Sequence, residues 1–119
     1  MNRYTAAGLA LAAITKQHRI IVISPRTADI TAALESFEHV DFIRDQAEIR
    51  RADPRVSFHL GGKIIFRSAR QSLRGMTADT VYIEEDVLRH TLSTVEQGNL
   101  LRDAQLVTTA AGGDIVIGA

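Results

Sequence analysis

The sequence contains no cysteine and no tryptophan, and only two of its residues are proline. Without cysteine the chain has neither a disulfide framework nor a thiolate metal site. Aromatic residues make up only 5% of the sequence, so a core must be built from Ala, Ile, Leu and Val. The formal net charge is zero, so no overall field draws the protein towards nucleic acid or a membrane. The remaining composition, 45% hydrophobic and 24% charged, is typical of one globular domain spanning residues 1–119.

The sequence also lacks a hydrophobic run long enough to cross a bilayer. The best candidate, residues 6–14, contains nine apolar residues, whereas a spanning helix needs about 20. This run continues into a polar segment and a strand-like segment, without the cleavage region of a signal peptide. We therefore expect no membrane association and a cytoplasmic location.

Helix-like and strand-like segments alternate along the first half of the chain. Residues 5–16 are rich in Ala and Leu and apolar nearly all round, which predicts a buried helix, and residues 28–37 and 41–52 are also predicted to be helical. Residues 19–24 (RIIVIS) and 80–84 (TVYIE) are the β-rich apolar runs that a parallel sheet buries on both faces. This alternation predicts an α/β fold with a largely parallel core.

A β-hairpin interrupts the alternation. Apolar residues alternate with polar ones over residues 56–60, Gly61-Gly62 follows, and residues 63–68 form a second β-like run, which together predict two antiparallel strands. The rest of the chain is predicted to form a loop or short helix at 68–77, a helix at 88–102, and two short strands at 105–109 and 114–117.

The end of the strand at 80–84 carries the first candidate site. Glu84 and Glu85 close this run, and Asp86 follows them. A nucleotide-hydrolysing site needs one carboxylate to hold Mg²⁺ and another to position the attacking water. Adjacent acids at the carboxyl end of a strand supply both, at the edge where ligands of open α/β sheets bind. The alternative is an ordinary strand end that surfaces into water.

A basic segment precedes the acidic strand. It contains Lys63, Arg67, Arg70 and Arg74 and no acidic residue. Guanidinium groups bind phosphate in two-pronged geometry, so Arg67, Arg70 and Arg74 are candidate contacts for a metal-bound phosphate or a DNA backbone. The alternative is that these arginines form surface ion pairs with nearby acids.

Small residues near the C-terminus form the third candidate. Thr108 and Thr109 end a predicted strand and lead into Ala110-Ala111-Gly112-Gly113. Small polar residues at such a position sense a γ-phosphate in some nucleotide sites, although Gly-Gly is also common in plain tight turns. The phosphate-loop pattern GxxxxGK[ST] is absent, and the four histidines show no metal-ligand spacing.

Taken in order, these segments resemble the ATPase core of phage terminase large subunits, the motors that package DNA, and more distantly superfamily 2 helicases. RIIVISP, residues 19–25, is similar to the strand that follows the family's phosphate-loop helix. GGKIIFRSARQSLRGMTADTVYIEED, residues 61–86, is similar to its hairpin, Arg-Gly segment and acidic strand. QLVTTAAGG, residues 105–113, resembles its coupling motif.

The resemblance implies a truncated P-loop-NTPase-like (Rossmann-like) fold, with a mostly parallel sheet, flanking helices and a β-hairpin. It places Glu84 at the Mg²⁺-ligand position, usually Asp, and Glu85 at the position of the catalytic glutamate. Thr108 and Thr109 fall in the coupling motif. The phosphate loop has no counterpart, and if Thr5 matches the hydroxyl that closes this loop, Tyr4 replaces its lysine.

These features predict a small phage-type protein with a terminase-like fold that is not itself an enzyme. We expect it to bind a protein partner or a second copy through an exposed sheet edge, with DNA as another candidate partner, in the cytoplasm of the host cell. The alternative is an ATPase or DNA-packaging subunit whose phosphate loop comes from another chain or lies upstream. We expect no cofactor, because ATP and Mg²⁺ would bind only with such a loop.

Overall fold

The computed structural model describes residues 1–118, which form a six-stranded mixed sheet with helices on both faces. The strand order is β2-β3-β4-β1-β5-β6. In chain order the elements are α1 (Arg3–Lys16), β1 (Arg19–Ser24), α2 (Thr27–Glu38), α3 (Asp41–Gln46), β2 (Ala47–Arg50), β3 (Arg55–Phe58), β4 (Lys63–Ser68), β5 (Thr80–Glu84), a π-helix (Val87–Thr91), α4 (Thr94–Thr109) and β6 (Asp114–Gly118).

Strand β1 lies at the centre of four parallel strands, between β4 and β5. Its side chains alternate between two cores. Ile20 and Val22 face the core that α1, α2 and α3 cover, whereas Ile21 and Ile23 face the core that α4 covers. A strand buried on both faces must be apolar throughout, so the run at residues 19–24 correctly predicted its position.

Helix α1 lies close to the sheet because it presents small residues to it. Ala6, Ala10 and Ala13 are fully buried at helical spacing, while Tyr4 and Leu11 on the outer surface are exposed. The prediction of a helix was therefore confirmed, although the helix is buried on one face only. Small alanines let the helix backbone approach the sheet, as dense packing requires.

The predicted hairpin is present between β3 and β4, which pair antiparallel. Gly62 is at its turn with φ +79°, and a Cβ built there would lie 2.1 Å from the carbonyl oxygen of Ala13. The turn therefore needs glycine for two reasons, the left-handed backbone and the contact with α1.

Two predicted elements were wrong in part. Residues 41–52 contain only the short helix α3, after which β2 extends the sheet by pairing with β3. Side chains of β2 alternate between half-buried and exposed, a period of two that competes with the helical pattern. Residues 88–102 are not one helix either, because the chain breaks after the π-helix and α4 restarts with a capping box between Ser93 and Glu96.

The strand predicted at residues 105–109 was wrong, because these residues are the last turns of α4. Leu100, Ala104, Val107 and Thr108 are buried at the spacing of one helix face. The strand predicted at 114–117 is present as β6 and pairs parallel with β5. Within residues 1–118, none of the helices is both long and apolar enough to span a membrane.

Substitutions at three glycines separate the effect of the left-handed backbone at Gly62 from the effect of its contact with Ala13. Gly75 has the same φ of +79°, but a Cβ added to it would meet nothing within 4 Å, and Gly98 lies inside α4 in open space. We expect Gly75→Ala to destabilise by about 1–2 kcal/mol, through its backbone alone. Gly62→Ala should cost about 2–5 kcal/mol, since the contact with Ala13 is added. Gly98→Ala should stabilise by about 0.5–1 kcal/mol.

Urea unfolding of the three variants, followed by circular dichroism, measures these differences. Equal losses for Gly62→Ala and Gly75→Ala would show that the contact between the hairpin and α1 is not tight.

Candidate functional site

The carboxyl ends of β4, β1, β5 and β6 lie at one edge of the sheet because these four strands are parallel. Glu84 ends β5 at this edge, and Ser24 ends the neighbouring strand β1. The sequence therefore delivers the predicted acidic residues to the edge where open α/β sheets bind ligands.

Glu84 is held by its neighbours. The fully buried hydroxyl of Ser24 donates a 2.6 Å hydrogen bond to Oε1, and the Met1 nitrogen lies 3.8 Å from Oε2. Hydrogen bonds to a charged acceptor are among the stronger ones in proteins. Both carboxylate oxygens of Glu84 thus have partners within the protein.

The other two acidic residues at this strand end do not share the partners of Glu84. Glu85 pairs with Arg89 one turn later, at 3.6 Å, whereas Asp86 is exposed and forms no side-chain hydrogen bond or ion pair with residues 1–118. Among the described residues no three His, Asp or Glu side chains gather in a group that could hold a metal ion. The Mg²⁺ role expected for Glu84 remains a prediction that depends on ligands from elsewhere.

Tyr82 connects the acidic strand end to α1. Its ring is buried on the α1 side of the sheet, and its hydroxyl shares a hydrogen bond with Thr5. Burial raises the pKa of Tyr82 above 10.0; the bond with Thr5 opposes this shift, while the negative charges of Glu84 and Glu85 add to it.

A cavity of about 240 Å³ lies beside this strand end. The N-terminus of α1 forms one wall, where the Asn2 side chain accepts a 2.8 Å hydrogen bond from the backbone N–H of Thr5. The cavity is lined by Met1, Asn2, Glu84, Glu85, Asp86 and Gly118, so the acidic residues, α1 and the end of β6 meet here.

The three predicted basic residues are not gathered in one patch. Arg67 is half-buried near the end of β4 and donates to the carbonyl oxygen of Phe66 at 2.9 Å. Arg70 is exposed and paired with Glu96 at 3.1 Å. Arg74 lines a separate cavity, whereas Arg70 lines the cleft described below. Ion pairing, the alternative weighed for these arginines, holds for Arg70, although its partner lies outside the acidic strand.

Three further arginines near the hairpin also carry carboxylate partners. Arg50 pairs with Glu48 at 3.4 Å, and the other two form close ion pairs, Arg51 with Glu38 and Arg55 with Asp53. Phosphate contacts by these side chains would have to compete with the existing pairs.

Thr108 and Thr109 lie in α4 and not at the end of a strand, so their predicted structural context was wrong. The Thr108 hydroxyl donates to the carbonyl oxygen of Ala104 at 2.9 Å, and that of Thr109 donates to Gln105 at 2.6 Å. Both hydroxyls are thus engaged within the helix. The position expected for the coupling motif, at the end of a strand next to β5, is occupied by Gly118.

Sequence reasoning missed a second cleft at the same edge. Its volume is about 480 Å³, and it lies between the loop after β1 and the π-helix after β5. The available signal was topological: residues that follow two neighbouring parallel strands meet in space although the sequence separates them. The cleft is lined by Pro25, Arg26, Asp29, Arg70, Asp86, His90 and Thr91.

The raised pKa of Tyr82 has a measurable consequence. Tyr4→Phe leaves Tyr82 as the only tyrosine, so its phenolate absorbance can be titrated directly, with an expected midpoint above 10.0. Adding Glu84→Gln should lower this midpoint because one repelling charge is removed, whereas Glu48→Gln in the distant strand β2 should leave it unchanged.

The same group contributes to stability with a definite sign. Because the folded state keeps the Tyr82 proton where the unfolded state has lost it, this contribution is complete below about pH 10 and is lost as the pH rises through the folded-state pKa. The free energy of unfolding should therefore fall above pH 10, and less steeply in Tyr82→Phe. A phenolate midpoint at or below 10 would contradict the burial of this hydroxyl.

Comparisons with known proteins do not indicate a function for this chain. No protein-family model matches the chain, and no curated protein matches it significantly. The terminase-like resemblance therefore stays a prediction from the sequence pattern.

Proposed function

We propose that this chain is a non-catalytic protein of terminase-like ATPase fold that works by self-association, pairing the free edge of β6 with the same edge of a second copy. The proposal rests on the unpaired outer edge of β6. This strand pairs with β5 on one side, and no strand within residues 1–118 pairs with its other side.

The exposed edge is apolar. Val116 is 42% exposed and Ile117 is 50% exposed, on opposite faces of the strand. Parallel strands are normally buried, and an unpaired apolar edge is a template for another strand. Backbone groups along the outer side of β6 would gain hydrogen bonds, and both side chains would lose contact with water.

The sequence of β6 favours a second copy as the occupant. Two copies related by a two-fold axis pair the same strand antiparallel. Centred on Val116, this pairing places Ile115 of one copy opposite Ile117 of the other, and Asp114 opposite Gly118. The two aspartates lie at opposite ends of the paired strands, so the pairing buries no like charges together.

The described contacts favour this binding function over the other predicted ones. The carboxylate of Glu84 is already held by Ser24, and a phosphate-binding loop is absent from the sequence. The arginines near the hairpin are paired with carboxylates, and the three predicted basic residues are not gathered in one patch, which leaves DNA binding with less support.

A charged side chain on β6 tests whether this strand forms the dimer contact. Val116→Lys should convert a dimer into a monomer, since pairing would bury the new charge in both copies. Val95→Lys is the matched control, because Val95 is 73% exposed on α4 and does not belong to β6, and this variant should stay dimeric. Sedimentation equilibrium measures the mass, and circular dichroism verifies that both variants fold.

A monomeric wild-type chain at about 1 mM would overturn self-association. Dimers that persist in Val116→Lys would place the contact elsewhere on the surface.

A second candidate function has its own observation, the cavity of about 240 Å³ beside Glu84 and Gly118. A strand added parallel to β6 would end next to this cavity, so a phosphate-binding loop following it would face Glu84 and Glu85. In this reading the chain is an ATPase or DNA-packaging subunit that takes its phosphate loop from another chain or from upstream residues, and it then binds ATP and Mg²⁺.

Calorimetry with ATP and Mg²⁺ separates the two functions. The self-association proposal predicts no micromolar binding and no hydrolysis by this chain alone. Tight binding, with turnover that Glu85→Gln abolishes, would favour the ATPase. Arg89→Gln is the control, because it breaks the pair with Glu85 and leaves the carboxylate in place.

A further inference from the structure

The cleft of about 480 Å³ lies where the sheet connections change direction. After β1 the chain crosses to β2, β3 and β4 on one side of β1, whereas after β5 it crosses to β6 on the other side. Loops that leave two adjacent parallel strands in opposite directions open a crevice between them, and open α/β sheets bind their ligands in that crevice. The volume is also within the range of small-molecule sites.

Arg70 enters this cleft in a fixed orientation. Its Nε donates to Glu96 at 3.1 Å, and its Nη2 donates to the carbonyl oxygen of Thr91 at 3.1 Å. Glu96 is itself fixed by the Ser93 cap of α4, and these contacts lower the pKa of Glu96. Within residues 1–118 the third nitrogen, Nη1, has no hydrogen-bond partner.

Arg26, from the loop after β1, supplies a second guanidinium to the cleft. Its Nε lies 3.3 Å from Asp29, and its two outer nitrogens form no hydrogen bond or ion pair with the described residues. Each arginine is thus oriented through its inner nitrogen. Arg26 keeps both outer nitrogens for a ligand and Arg70 keeps Nη1, and guanidinium N–H groups of this kind bind phosphate oxygens.

The cleft is also lined by a carboxylate and an imidazole. Asp86 and His90 both line it from the π-helix region, and neither side chain forms a hydrogen bond or ion pair with residues 1–118. A single π-helical turn is rare and occurs frequently at functional sites. Here it replaces a regular helical turn directly after β5, where the chain forms the cleft wall.

We propose that this cleft binds a small phosphorylated molecule whose other end carries a hydroxyl or amino group. The phosphate accepts hydrogen bonds from Arg26 and Arg70, and Asp86 accepts one from the hydroxyl or amino group. A tetrahedral phosphate has enough oxygens to contact both guanidinium groups at once, which a carboxylate with two oxygens does less well. The site is separate from the β6 edge, and it shares only Asp86 with the cavity beside Gly118.

Three probes test the ligand class by nuclear magnetic resonance titration of the full chain: glucose 6-phosphate, glucose and inorganic phosphate. We expect glucose 6-phosphate to bind with a Kd of about 1 mM or below, inorganic phosphate to bind more weakly, and glucose not to bind. Shifts should cluster at the amides of the loop after β1 and of the π-helix. Absence of binding by both phosphate compounds at about 10 mM overturns the proposal.

Matched variants test the residues. Arg70→Gln should weaken glucose 6-phosphate binding by about 10- to 100-fold. Arg89→Gln removes the same charge from the π-helix outside the cleft and should leave affinity within about twofold. Equal losses in the two variants would reduce the effect to overall charge and overturn the site.

Asp86→Asn distinguishes a complete ligand from a free anion. It should weaken binding of glucose 6-phosphate and leave binding of inorganic phosphate unchanged or tighter, since only the sugar hydroxyls reach this side chain. Weaker binding of both probes would contradict the assigned role of Asp86.

Discussion

The pairing of β5 with β1 determines how the strand ends meet at the carboxyl edge of the sheet. The register that aligns Val22 with Tyr82 and Ile23 with Ile83 brings the ends of the two strands together, so Ser24 can donate to Glu84. A shift of one residue would exchange the side chains between the two cores, each of which is packed around a different set. Burial of β1 on both faces therefore fixes the geometry of the carboxyl edge, including the cleft and the acidic strand end.

The parts of the fold that the sequence predicted share a property: one periodicity dominates them. Residues 20–23 are all apolar, as a doubly covered strand requires, and two β-like runs flank Gly61-Gly62 as in a hairpin. At residues 105–109 the period was ambiguous. QLVTT is β-rich in composition, but only burial of Val107 and Thr108 together with Leu100 and Ala104 favours a helix.

Positions of functional side chains were predictable only where the backbone alone determines them. Glu84 had to reach the carboxyl edge because it ends a parallel strand. Its hydrogen bond with Ser24 could not be predicted, because it depends on which strands are neighbours. The cleft shows this more clearly. Arg26, Arg70 and His90 follow three different strands, β1, β4 and β5, and only the arrangement of these strands in the sheet brings them together.

Charge pairing shows which groups remain available to a ligand or partner. Glu84 is bound by Ser24, Glu85 by Arg89, and Arg70 is held by Glu96 in a way that leaves one nitrogen free. Exposed pairs contribute little stability but do orient long side chains. A paired carboxylate at a strand end has its oxygens engaged within the protein, whereas an arginine anchored by its inner nitrogen keeps outer donors for a ligand. By this criterion the cleft, and not the acidic strand end, is the site best prepared for a small ligand.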